Sequence, residues 1–132
     1  MTFSIENDQT EENGTLQCTK ETLQTIEKFG MPIGYTMDLG NWYWQKENPN
    51  QAFDLLKDKI SIFHLKNIKL KDDVPGTVML EEGKIPWNSM IGQLSDKVKV
   101  FFRISNSGRE YQKANRSCER SRVKENKLCV KC

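Results

Sequence analysis

Short apolar runs recur about every thirty residues along the body of the chain, and each closes on a polar side chain. Phe3-Ser4-Ile5 leads to Glu6, Ile33-Gly34-Tyr35-Thr36-Met37 to Asp38, and Ile60-Ser61-Ile62-Phe63 to His64. Asn7 to Thr15 is polar, contains Gly14, and reads as a loop. From Leu16 to Phe29, Leu16, Leu23 and Ile26 fall on one face of a helix, with Gly30 as its stop. Met31-Pro32 restarts the chain as a strand, and Leu39 to Trp44 is an aromatic-rich loop. Asn48 followed by Pro49 predicts a helix start, a cap and then proline at the first helical position. Ala52, Phe53, Leu55 and Leu56 supply that helix's apolar face. Lys66 to Gly83 reads as a long polar connection, Pro86 to Leu94 as a short helix, and Val98 to Phe102 as a fourth strand. Strand, helix, strand in this rhythm predicts an α/β fold with a parallel sheet.

Length and charge sharpen the picture. A chain of 132 residues suffices for one domain with a real core. It falls short of the ~200 residues that eight strand–helix pairs need. The net charge of +2 conceals an asymmetry. Residues 1–103 carry 12 Lys and Arg against 15 Asp and Glu, whereas residues 104–132 carry 8 against 3. The mildly acidic body argues against a nucleic-acid partner, and the basic tail has no aromatic interleaving beyond Tyr111. From Ser105 onward large apolar residues are scarce, so a disordered basic tail is expected. No apolar run approaches the ~18 residues of a membrane span. The first residues lack the basic-then-apolar order of a signal peptide. A cytoplasmic location with reduced cysteines is the resulting expectation. Cys129-Val130-Lys131-Cys132, with Cys118 upstream, resembles half a zinc site. Four ligands are required and the tail holds no histidine, so an accidental pair is the better reading.

Glu6, Asp38 and His64 are the candidate chemistry. In parallel α/β folds the carboxyl ends of strands are where sites form. Two carboxylates and an imidazole at neighbouring strand ends suit one divalent ion: manganese, magnesium, zinc or cobalt. Each residue has an ordinary alternative as well. Glu6 reads also as an exposed strand-end charge, Asp38 as an Asx-turn residue, and His64, the sole histidine, as a satisfied core residue. Their shared placement raises all three together.

The strand ends also carry a family resemblance. Ser4-Ile5-Glu6-Asn7-Asp8-Gln9-Thr10, Met37-Asp38-Leu39-Gly40-Asn41-Trp42 and Phe63-His64-Leu65-Lys66-Asn67 resemble successive motifs of the sugar-phosphate isomerase/epimerase family, whose members are xylose-isomerase-like (β/α)8 TIM barrels. Leu80 to Trp87 resembles the stretch before the last helix pair of such barrels. The resemblance spans about residues 3–103. It implies a partial barrel of parallel strands five to eight with intervening helices. It also implies a divalent metal on Glu6, Asp38 and His64, with Glu6 the catalytic carboxylate. Lys66, Asn41 and Trp42 are the implied contacts to a small-molecule sugar or sugar phosphate. The family's fourth ligand, a Glu at the end of the last strand, falls on Arg103, a cation that would repel a metal.

Three readings of function follow. The first is metal-dependent isomerisation or epimerisation of a sugar or sugar phosphate. In it the chain is the C-terminal half of a longer enzyme, and its tail from residue 104 is translated out of frame. The second is a non-enzymatic half-barrel remnant or interaction module that self-associates through open sheet edges. The third, DNA repair of the endonuclease IV type, shares the fold. It is the weakest, because it needs more histidines and a basic groove.

Overall fold

A computed structural model describes residues 3–102 of the chain. Strands β1 (Phe3–Glu6), β2 (Ile33–Asp38), β3 (Ile60–Leu65) and β6 (Lys99–Phe102) form one sheet in that spatial order. All three pairings are parallel. The strands follow one another across the sheet in chain order, so the winding never reverses as it does in doubly wound folds.

Helix α1 (Leu16–Lys28) buries Leu16, Thr19, Leu23 and Ile26, one residue from each successive turn. The Thr15 hydroxyl caps it by accepting from the Cys18 amide at 3.2 Å. Gly30 ends it at φ 60°, where a side chain would be strained. The Gly30 and Met31 amides close the last turn on the Glu27 and Ile26 carbonyls. Helix α2 (Pro49–Leu56) starts as its sequence predicts, with the Asn48 side chain accepting from the Asn50 amide at 2.9 Å. Its apolar face is narrower than expected: Ala52, Phe53 and Leu56 are buried, while Leu55 is 52% exposed. Leu55 lies about 100° round the helix from Leu56, which takes it off the core-facing stripe.

The core lies between the sheet and these helices. Tyr35, Met37, Phe63 and Leu65 point to it from the strands and meet Trp42, Phe53, Leu56, Ile85 and Met90. The Phe53 and Phe63 rings pack tilted with centroids 5.7 Å apart. Between Tyr35 and Thr36 the β2–β3 register slips, Tyr35 opposing Ile60 and Thr36 opposing Ile62. The skipped Ser61 lies against Gly34, where a Cβ would come within 2.9 Å of its Oγ. Beyond the bulge Asp38 lies beside His64, so this slip sets which residues share the sheet's upper end.

Three further expectations need correction. Leu39 to Trp44 is not an open loop, because Gly40–Gln45 winds into 3-10 turns. Nor is Lys66 to Gly83 structureless. Strands β4 (Asn67–Lys71) and β5 (Val74–Val78) form an antiparallel hairpin. Its turn is Asp72-Asp73, with φ of 51° and 62°. Two positive values are what a tight hairpin turn demands, and aspartate meets that demand at modest cost. Helix α3 (Trp87–Ile91) is shorter than the predicted Pro86–Leu94.

Candidate metal centre

β1, β2 and β3 are neighbours, so their carboxyl ends bring Glu6, Asp38 and His64 together. Asp38 and His64 are side by side in register, whereas Glu6 pairs two residues lower, with Thr36. Its extra methylene spans part of that offset. One ligand atom from each residue lies within 4.8 Å of the other two. His64 Nδ1 is 3.5 Å from Glu6 Oε1. All three side chains are buried, and Asp38 has no exposed surface. Phe101 meets the His64 ring edge-on at 6.0 Å.

Burying two carboxylates and an imidazole together costs solvation, and a divalent cation offsets that cost. The donor set fits such an ion: hard carboxylate oxygens with one borderline nitrogen. Asp38 fulfils its alternative reading too. Its Oδ1 accepts from the Gly40 and Asn41 amides at 3.0 and 3.2 Å, an Asx turn that fixes the carboxylate's rotation.

A polar chain surrounds the triad. Asn7 directs its side-chain amide at the Asp38 backbone, accepting from the amide and donating to the carbonyl, both at 2.9 Å. Asn41 donates to the Asn7 carbonyl at 2.8 Å. Its own Oδ1 accepts from Lys66 Nζ at 2.8 Å and Gln9 Nε2 at 3.0 Å. The Lys66 ammonium sits 4.8 Å above the Trp44 ring. Its stem lies against Gly40, where a Cβ would approach Lys66 Cγ to 2.8 Å. Of the three expected substrate contacts, Lys66 and Asn41 therefore stand together beside the triad. Trp42 is turned into the core with no exposed surface, and the ring under Lys66 is Trp44. Asn7 and Gln9 lie within the Ser4 to Thr10 motif without a role assigned to them by it, and Trp44 belongs to the aromatic-rich run after Asp38. The signal for Asn7 was its place in that motif, directly after Glu6. Arg103 and the tail cysteines fall outside the described residues.

Tyr35 completes the surroundings. Burial first, then the charges of Asp38 and Glu6, raise its phenol well above the ordinary value of 10.0. The folded chain thus holds this proton more tightly than the unfolded chain does. The stabilisation is complete below about pH 10 and is lost as pH rises through and beyond that value. Urea midpoints measured across the alkaline range should fall less steeply in Tyr35→Phe than in the parent. Parallel curves would contradict the assignment.

A separate cleft of about 610 Å³ lies between the hairpin tip and the start of α2. Tyr43, Lys46, Glu47, Asn50, Leu70 and Asp73 are among its lining residues, and none of the triad is.

No protein-family model matches the chain, and no curated protein matches it. A solved structure does. It is the crystal structure of the probable 3-DHS dehydratase AsbF, involved in petrobactin synthesis, from Bacillus anthracis. The two align with a TM-score of 0.66 at 19% identity, over 89% of this chain and 48% of that one. That neighbour is a xylose isomerase-like TIM barrel, and the likeness extends to the fold. The present chain spans about half the neighbour's length. Among the described residues, no helix is long and apolar enough to cross a membrane.

Proposed function

We propose that Glu6, Asp38 and His64 hold a divalent metal ion and that the site serves isomerisation or epimerisation of a sugar or sugar phosphate. In this reading β1, β2, β3 and β6 are strands five to eight of a xylose-isomerase-like barrel. The observation that carries it is the buried triad on three adjacent parallel strands, with ligand atoms within 4.8 Å. When bound, the ion would supply Lewis-acid polarisation of a substrate carbonyl. Glu6 is the carboxylate that would take a proton from the carbon beside that carbonyl and return it to the neighbouring carbon. Isomerisation needs one such group, whereas epimerisation needs two on opposite faces. Lys66, placed by Asn41 and Trp44, would meet a substrate oxygen or phosphate. Removal of a proton beside a carbonyl is also how elimination of water from a hydroxyketone begins, so the dehydratase named for the structural neighbour asks for compatible chemistry.

A second reading rests on the sheet's outer strands. Among the described strands, β1 and β6 each have a neighbour on one side only. Such edges recruit further strands, and a non-enzymatic half-barrel would close against another copy of the chain.

The test is Mn(II) binding by electron paramagnetic resonance, followed by exchange of C–H protons of fructose 6-phosphate in D2O. The parent chain should bind the ion and catalyse exchange, and Glu6→Gln should lose both. Binding without exchange would retain the metal site and remove the isomerase. Absence of binding would remove both, and a dimeric mass by sedimentation would then favour the second reading.

A further inference from the structure

Asn7 is 1% exposed and makes four hydrogen bonds, three of them through its side chain. The β1–β2 ladder stops at the pair Glu6 and Thr36. Asp38 therefore lies beyond the last backbone pairing with β1. The Asn7 side-chain amide supplies what the ladder would have supplied there: an acceptor for the Asp38 amide and a donor for its carbonyl. The orientation of the Asn7 amide follows from these partners, since the reverse would set donor against donor and acceptor against acceptor. The Tyr35 hydroxyl donates to the same Oδ1 at 3.3 Å from the other side. Asn7 is thus bonded covalently to one member of the triad and by paired hydrogen bonds to another.

We infer that Asn7 is a positioning residue of the triad, its side-chain amide holding Asp38 at the spacing from Glu6 at which both ligate one divalent cation. The inference rests on the metal reading of the site. Groups that orient ligands without touching the ion tune affinity strongly, and their loss typically costs about 10–100-fold. Asn7→Asp is the informative substitution. The carboxylate retains an acceptor for the Asp38 amide and the Tyr35 hydroxyl but sets a second oxygen against the Asp38 carbonyl. It also adds a negative charge near the triad. Charge alone would tighten cation binding, so a fall in affinity reports geometry.

The experiment is titration of the full chain with Co(II), read by visible absorption and calorimetry. Asn7→Asp should bind Co(II) roughly 10–100-fold more weakly, with a displaced absorption band. Tyr35→Phe removes one donor to Asn7 and should weaken binding roughly threefold with the same sense of displacement. Phe53→Leu, a core change away from the site, should lower the melting temperature and leave affinity and spectrum as in the parent. If Asn7→Asp does not fold, Tyr35→Phe decides. Parental affinity and spectrum in the folded Asn7 and Tyr35 variants would overturn the inference and leave the metal site standing. A parent chain that binds no Co(II) would overturn both.

Discussion

Replacing Asn67 with alanine is expected to cost the fold about 4 kcal/mol. Asn67 is buried where β3 hands over to the hairpin. Its Nδ2 donates to the Leu80 carbonyl at 2.7 Å and the Ile85 carbonyl at 3.2 Å. Its Oδ1 accepts from the Ile68 and Ile85 amides at 2.9 and 3.0 Å. One side chain thus ties both ends of the arm that holds β4 and β5. Alanine would leave two buried amides without this partner and strip two carbonyls of a donor. Each such group costs roughly 1–3 kcal/mol, and water entering the gap recovers part of the total. A domain of this size has only about 5–15 kcal/mol to lose. Urea denaturation gives the total, and hydrogen exchange at Ile68 and Ile85 locates it. A loss below about 1 kcal/mol, with those amides still protected, would contradict the assignment. Gly83 is bound to the same feature, since a Cβ there would fall 2.0 Å from Asn67 Cγ.

Asp38 should separate stability from metal affinity. Asp38→Ala deprives the Gly40 and Asn41 amides of their charged acceptor and should cost about 3 kcal/mol. Asp38→Asn keeps an oxygen for both amides, so its loss should be nearer 1 kcal/mol. On the proposed metal reading both substitutions would remove an anionic ligand, and both should weaken Mn(II) binding by roughly 100-fold or more, at or beyond the upper range for residues that merely orient ligands. Calorimetric titration beside urea melts checks the pair. Equal destabilisation by the two variants would mean that the Asx turn contributes little. Undiminished binding in either would remove Asp38 from the ligand set.

The strand–helix rhythm was readable in the sequence because β1, β2 and β3 are compact apolar runs that reach a polar residue at or next to their ends, with Gly30 and Asn48-Pro49 punctuating the helices between them, whereas β6 ends on Phe102. The Glu6, Asp38 and His64 grouping was readable for the same reason, since strand ends of a parallel sheet converge by construction. The hairpin was hidden. Asn67 to Lys71 does alternate, with Ile68 and Leu70 on one side, but its partner run carries Pro75 and Gly76, which read as breakers. Proline is tolerated there because each strand of a two-stranded ribbon is an edge. Leu55 was misplaced because an apolar residue next to the buried stripe looks like part of it. The polar chain through Asn7, Asn41 and Lys66 depends on contacts between residues some thirty positions apart, and no local pattern announces such contacts.

The triad's members are scattered from Glu6 to His64, each on a different strand, with a helix between each pair. No stretch of chain short enough to fold early contains more than one of them. A chain emerging from the ribosome would present isolated carboxylates and then an isolated imidazole, each with negligible hold on a cation. Affinity would arrive abruptly, when the third strand docks beside the second. On the proposed metal reading, uptake would therefore mark the docking of β3 onto β2, before β6 completes the sheet, and free ions would have no purchase on the chain before that point.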